Sequence, residues 1–379
     1  MPLLWRNRAR DSAPPTDLRQ IAAAENHECY LSETETLGKT DKHGRTILHW
    51  ATILGKHEFV KSLLGNQDVE ITATDWLGKP AIYYAVLRGD QDMVQVFLNR
   101  HKQLHDITGR TALHDAVDTG NTSMVALCST PELISLPDYN GRTPLHYAAR
   151  SGNHIIAEYI LRKGADAKYR DGKGWTPLHW AARRGCVETL KVIIRWADAA
   201  AIDYDDHTAL HVAAANGYRA AAVFLLDREE LKRERTAQTE ILAQTIPDID
   251  EVDDKGHTIL HWAVYKKDAA LVDAVLKRIR EKGGASITLQ DKNGHTPLQT
   301  ALLLTQSRWE VDHHLGRSKG PKGTPALNAM LQCVIEQEEP ATTMMDRYKE
   351  TPLSYAASYG DETTKRLLQE YLKETGLSI

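Results

Sequence analysis

Seventeen histidines are the first residues in this chain whose chemistry asks for an explanation, because imidazole can act as a general base near neutral pH or hold a zinc ion. Six of them (His49, His114, His146, His179, His211 and His261) stand three residues after a Thr in the same short cassette, so their spacing belongs to a repeat and not to a reaction centre. Asp312-His313-His314 is the other imidazole-rich point. Adjacent histidines project in different directions and a third ligand at helical spacing is missing, so no metal is expected there. The four cysteines, Cys29, Cys128, Cys186 and Cys333, form no CxxC pair, which argues against a disulfide scaffold or a cysteine-bound zinc and fits a reducing compartment. Cys186 follows a glycine at the start of a helix-like segment and reads as a small packed residue. No Walker loop, GxGxxG turn, HExxH, GxSxG or kinase signature set occurs. The chain is therefore expected to carry no catalytic residue, no metal and no cofactor.

The elements that must position these histidines come from one cassette found nine times. Thr143 to Gly152 reads TPLHYAARSG and Thr176 to Gly185 reads TPLHWAARRG. With Thr46, Pro80, Thr111, Thr143, Thr176, Thr208, Thr258, Thr296 and Thr351 as origins, the spacings are 34, 31, 32, 33, 32, 50, 38 and 55. Five residues before every origin stands an Asp, from Asp41 to Asp346, and five residues after it an Ala, from Ala51 to Ala356. A Gly two before the origin in seven copies marks a tight hairpin turn that needs positive φ; Asp206 and Lys349 are the two departures. Thr followed by Pro is an N-cap hydroxyl with Pro at the first helical position. The Leu two after the origin and the Ala three later share one helical face, with Ala small enough for close helix approach. A Gly nine after the origin in seven copies suits a left-handed C-cap, and apolar pairs such as Leu63-Leu64, Ile160-Leu161 and Leu225-Leu226 mark a second helix.

A turn and two short antiparallel helices cannot bury their own apolar face, so each copy must stack on its neighbours. On these motifs the chain resembles the ankyrin repeat family from about Asp41 to Leu372. The resemblance implies an all-α repeat solenoid, an ankyrin stack of β-hairpin/helix-turn-helix units with N- and C-terminal capping elements. It also implies that the six cassette histidines are structural, bonding near the helix start. Copy two, LGKPAIYYAVLRGD, is the most degenerate, with Pro80 for Thr and Tyr83 for His.

The domain reading is a disordered tail at 1–16, an N-terminal capping region at 17–40, and the array at 41–379 with insertions at about 228–248 and 307–324. The first insertion follows Leu225-Leu226 and is expected to lengthen that helix before looping. The opening segment has no apolar core of signal-peptide length and no 18-residue apolar run occurs, so neither secretion nor membrane spanning is encoded. Arg6, Arg8 and Arg10 read as a solvated tail in preference to a nuclear address. The expected location is intracellular, cytoplasmic and/or nuclear.

The resemblance implies a concave face, built from hairpin tips and the first helices, on which ligands dock. The expected contact residues are Tyr139, Arg142, Tyr147, Arg150, Lys173, Trp175, Trp180, Arg183, Arg184 and Tyr204, with Lys42, Arg45, Trp50, Trp76 and Lys79 as an extension towards the N-terminus. Aromatic and Arg side chains combine rigid area with hydrogen-bonding reach. Trp50, Trp180 and Trp262, all four after the origin, could equally pack against a neighbouring hairpin. The four guanidinium groups of Arg142, Arg150, Arg183 and Arg184 would repel one another unless something acidic arrived. The chain overall is mildly acidic, with 47 Lys plus Arg against 51 Asp plus Glu, so no global field draws it to nucleic acid or an anionic bilayer. These features lead to a monomeric, non-catalytic scaffold or adaptor binding an acidic, aromatic-containing protein segment, without direct nucleic-acid or membrane contact. A coregulator acting through a partner transcription factor is the narrower form. An enzyme or small-ligand pocket built from the insertions, with Trp309, Asp312, His313 and His314 at its rim, is the remaining alternative.

Overall fold

The computed structural model describes residues 16–23, 37–227, 248–282, 287–304, 345–359, 365–366 and 369, and the chain divides into two compact units, residues 1–172 and 173–379. In the first, α1 (Thr16–Ala23) precedes four helix pairs. These are α2 (Ile47–Leu54) with α3 (His57–Gly65), α4 (Ala81–Arg88) with α5 (Gln91–Arg100), α6 (Ala112–Thr119) with α7 (Thr122–Cys128), and α8 (Pro144–Ser151) with α9 (His154–Arg162). Helices α1, α2, α4, α6 and α8 pack in chain order, and α3, α5 and α7 form the row behind them. The second unit holds α10 (Pro177–Arg184) with α11 (Val187–Ile193), α12 (Ala209–Ala215) with α13 (Arg219–Leu226), α14 (Ile259–Tyr265) with α15 (Ala269–Lys282), helical residues 297–304, and α16 (Pro352–Tyr359). Within this unit α10, α12 and α14 pack in series, as do α11, α13 and α15.

The cassette explains these boundaries. Thr46, Thr111, Thr143, Thr176, Thr208 and Thr258 are N-caps with extended backbone, and Pro144 and Pro177 take the first helical turn. The Leu column from Leu48 to Leu298 is at most 1% exposed, and every Ala from Ala51 to Ala263 at its register is fully buried. Each Leu contributes about 1.5–3 kcal/mol by leaving water. The Ala column keeps neighbouring first helices close, so a larger residue there would push two repeats apart.

The hairpins are shorter than expected. Among the described residues only isolated bridges occur, Thr74 with Pro80, His105 with Thr111 and Ile202 with Thr208. The Asp column takes over the work of a strand ladder: in the first copy the Asp41 N–H donates to the Arg45 carbonyl at 2.9 Å, while Asp41 Oδ1 accepts from the N–H groups of His43 at 2.7 Å and Arg45 at 2.9 Å. Asp75, Asp106, Asp138, Asp203, Asp253, Asp291 and Asp346 accept the same pair of N–H groups. A side chain that satisfies the turn from inside leaves no backbone groups for a longer ladder.

The positive-φ reading holds at the glycines and also where glycine is missing. Three described non-glycine residues have positive φ: Asp206 at 58°, Lys267 at 55° and Lys349 at 65°. Asp206 and Lys349 sit two before an origin and Lys267 nine after one, so the backbone follows the register even without its favoured residue. A lysine in the left-handed region is strained. Lys349→Gly and Lys267→Gly are each expected to raise the unfolding free energy by about 0.5–1 kcal/mol, read as a higher urea midpoint. Unchanged or lower midpoints would show the turns to be relaxed.

Copy two forms its helix without a cassette Thr or His, with Pro80 in the capping position. The first insertion does not extend its helix as expected: α13 stops at Leu226, and Asp227 is already extended, with φ −79° and ψ 98°. The tail at 1–15, residues 24–36 of the proposed cap, both insertions, and Cys29, Cys333, Trp309, Asp312, His313 and His314 lie outside the described residues. No described helix is long and apolar enough to cross a membrane.

Candidate functional site

The cassette histidines resolve first. The Thr111 N–H donates to His114 Nδ1 at 3.1 Å, so Nδ1 is the acceptor and the proton sits on Nε2, which donates to the Arg142 carbonyl of the next copy at 3.0 Å. The same pair of bonds joins His49 to Thr46 and the Lys79 carbonyl, His179 to Thr176 and the His207 carbonyl, and His261 to Thr258 and the His295 carbonyl. Each ring therefore caps one helix and ties the following hairpin to it. Burial pushes His114, His211 and His261 down to about 4, more strongly than nearby backbone and carboxylate groups raise them, and His49 is lowered for the same reason.

Above these caps the hairpin tips form a file. In the first unit the Trp76 N–H donates to the His43 carbonyl at 2.9 Å, Ile107 to Gly78 at 3.0 Å, and Tyr139 to Thr108 at 2.9 Å. Each of these side chains lies over the glycine of the preceding turn. A Cβ on Gly44 would stand 2.5 Å from Trp76 Cδ1, one on Gly78 2.1 Å from Ile107 Cγ1, and one on Gly109 2.7 Å from Tyr139 Cδ1. Glycine at this column thus serves the neighbouring side chain as well as its own backbone. The outer faces are bare: Trp76 is 75%, Leu77 70%, Ile107 62% and Tyr139 70% exposed.

The ten expected contact residues divide between the units. In the first, Tyr139 is on the exposed file, its ring edge-on to His105 at 5.8 Å. Tyr147 is a correction. It is buried, its hydroxyl donates to Asp138 Oδ2 at 2.7 Å, and the Arg110 and Arg150 guanidinium groups cover its ring at 4.8 and 4.6 Å. Burial and the Asp138 bond hold that phenol far above its usual range. Arg150 donates to Asp118 Oδ1 at 3.1 Å and Arg142 Nε lies 3.9 Å from Asp171 Oδ2, so neither needs an outside acid for neutralisation.

In the second unit Tyr204 is exposed, and its N–H reaches the carbonyl of exposed Lys173 at 3.4 Å. Trp175 is half-buried, with Nε1 donating to Asp203 Oδ2 at 2.8 Å and its ring 5.2 Å from that of Trp180. Trp180 is the second correction: it is buried, and packing accounts for it. Exposed Arg183 lies over both rings, 5.4 Å from Trp175 and 5.8 Å from Trp180, and Arg184 is exposed beside it. The structure therefore gathers Trp175, Trp180 and Arg183 into one cluster.

In the proposed extension only Lys42 and Trp76 are exposed. Trp50 is buried and donates from Nε1 to Asp41 Oδ2 at 3.1 Å, Arg45 covers the Trp50 and Tyr84 rings, and Lys79 pairs with Asp106. Trp262 donates to Asp253 Oδ2 in the same way as Trp50. Leu77 and Ile107 were missed, although the register four and three residues before each origin already contained them.

Two sets of groups, Asp203, Asp205 and His207, and His207, Asp253 and Asp254, bring metal-capable atoms within 4.8 Å of one another. Both oxygens of Asp203 and of Asp253 already accept turn N–H groups or an indole N–H, so these clusters are two neighbouring hairpin turns. Cys128 is buried, which pushes its thiol up to about 12, and Cys186 accepts from Thr189 Oγ1 at 3.2 Å.

Comparison with known proteins agrees with this geometry. Residues 82–171 and 156–236 match a family model described as ankyrin repeats (3 copies), and residues 48–98 match one described as ankyrin repeats (many copies). A fowlpox virus (strain NVSL) protein named for its ankyrin repeats, FPV223, is 32% identical over 82 residues, which are 22% of this chain and 57% of that protein. The match thus spans little more than half of that relative. The crystal structure of the ankyrin repeat domain of Bcl-3, described as a unique member of the IkappaB protein family, superposes with a TM-score of 0.50 at 22% identity. It covers 69% of this chain and 99% of its own.

Proposed function

Because this chain belongs to the ankyrin repeat family, we propose that it captures a segment of a partner protein on its exposed hairpin tips. The observation that carries the reading is the file of Trp76, Leu77, Ile107 and Tyr139, four large apolar side chains left 62–75% exposed on successive turns that are bonded to one another. Isolated apolar residues are ordinary on a surface, whereas a contiguous strip of them marks a contact. The second unit supplies its own patch, Tyr204 with the Arg183-covered Trp175. The acidic part of the partner meets Arg183 and Arg184, since Arg142 and Arg150 already face Asp171 and Asp118. The chain acts as a monomer in this reading, with no direct nucleic-acid or membrane contact. A coregulator bridging a transcription factor is a special case, which nuclear accumulation and co-purification with such a factor would select.

The test is affinity purification from the native cell with the unaltered chain and with Trp76→Ser, Ile107→Ser and Tyr139→Ser combined. Capture is expected to weaken at least tenfold, corresponding to about 1.4 kcal/mol or more, while the unfolding midpoint stays close to that of the parent. Undiminished capture by the triple variant removes the tips from the contact. Arg183→Glu with Arg184→Glu tests the acidic component separately, and Trp175 is left intact because its indole supports Asp203.

A further inference from the structure

The residue just before each origin differs in kind between the two units. In the first it is a permanent cation, Arg45, Lys79, Arg110 or Arg142. In the second, three consecutive copies carry His207, His257 and His295, and each ring stands between the Asp of its own turn and the Asp of the next. His207 Nδ1 is 3.4 Å from Asp203 Oδ1 and its Nε2 3.4 Å from Asp253 Oδ2. His257 Nδ1 is 3.4 Å from Asp253 Oδ2 and its Nε2 3.7 Å from Asp291 Oδ2. His295 Nδ1 is 3.8 Å from Asp291 Oδ2 and its Nε2 3.6 Å from Asp346 Oδ2. The four carboxylates are at most 2% exposed at their side chains, whereas the rings are 11–21% exposed and open to exchange with water.

We infer that His207, set between the Asp203 and Asp253 carboxylates, is a pH-sensitive brace that ties their two hairpins together when protonated and releases them as pH rises. A neutral imidazole has one N–H and can serve one carboxylate; only the imidazolium carries a proton on both nitrogens and can bridge two. His257 and His295 repeat this placement between paired carboxylates in the next two copies. At the same register the first unit uses Lys79 on Asp106 and Arg142 near Asp171, which keep their charge across the physiological range.

The groups facing each ring agree in sign. His207 faces Asp203, Asp253 and Asp254, with His211 and Trp262 alongside. His257 faces Asp253 and Asp291, with His261, Trp262 and Tyr265 alongside, and His295 faces Asp291 and Asp346 against the Tyr348 ring. His211 and His261 are held neutral by burial and do not compete above their ordinary range. Asp253 raises His207 above the usual imidazole value against the opposing effect of burial. Burial pushes the Asp253 carboxyl up, but His207 and His257 outweigh it and hold it well below the usual carboxylate range. A base raised in the folded state stabilises fully below its unfolded value, and that contribution is lost as pH rises through the folded value.

Hydrogen exchange of the full chain, read by mass spectrometry at pH 6.5 and pH 8.5 and corrected for intrinsic exchange, tests the brace. Peptides from residues 203–227 and 248–282 are expected to lose protection at the higher pH, while those from 37–172 change little. His207→Arg is expected to abolish the difference by supplying fixed charge. If that variant does not fold, His207→Gln is expected to show the lower protection at both pH values. Equal protection of the unaltered chain at both pH values overturns the brace. So does a difference that survives either replacement, which would place the titrating group elsewhere.

Discussion

His114→Ala is expected to cost about 3–5 kcal/mol, a large share of the stability of a unit of this size. The side chain is fully buried, and its removal orphans the Thr111 N–H on one side and the Arg142 carbonyl on the other, besides leaving a cavity. The conservative replacement is present in the chain. At the equivalent place in copy eight, Gln299 accepts the Thr296 N–H on Oε1 at 2.8 Å and donates from Nε2 to the Glu350 carbonyl at 2.9 Å. His114→Gln should therefore recover most of the loss and fall within about 1 kcal/mol of the parent in urea unfolding. If Gln proved as damaging as Ala, the two bonds would not be what the ring contributes.

Acid is expected to produce the second large effect, through the same rings. His114, His211 and His261 sit at about 4 when folded against an ordinary value of 6.5, so the unfolded chain takes up protons first as pH falls. Their contribution is complete above 6.5 and is lost progressively down to about 4, reaching about 2 kcal/mol per histidine at pH 5. Each unit contains such rings, His49 and His114 in the first and His211 and His261 in the second, so the unfolding free energy read from urea titration should fall in both between pH 7 and pH 5. His211→Gln with His261→Gln should shrink that fall by about 4 kcal/mol. A pH dependence unaltered by the double replacement would mean that carboxylates govern the acid limb. This effect lies below the pH 6.5–8.5 window in which His207 is expected to act, so the two titrations separate.

The architecture was legible because its rules are local and repeated. Thr and Pro start helices, the Ala column allows close approach, and positive φ persists at Asp206 and Lys349 where glycine is absent. The contact surface was harder to read because exposure is decided by pairing across distance. Tyr147 and Trp50 stand four residues after an origin, on a face that continues the exposed one, yet each donates to the Asp nine residues earlier once the turn folds back. Arg150 read as an unneutralised charge because its partner, Asp118, is 32 residues away in the previous copy. The exposed file was present in the spacing. Trp76, Ile107 and Tyr139 share one register, and reading down that column, instead of along copies four and five, isolates them.

The central claim, that the hairpin tips are where a partner is held, is tested most directly by photo-cross-linking. A benzophenone side chain is placed at Tyr139 and, in a separate protein, at Gln95, which is exposed on α5 in the row of second helices. The expected result is that irradiation in the native cell extract joins Tyr139, and not Gln95, to peptides of a single protein that also co-purifies with the unaltered chain. Cross-links to that protein from Gln95 alone, or equally from both positions, would contradict the account.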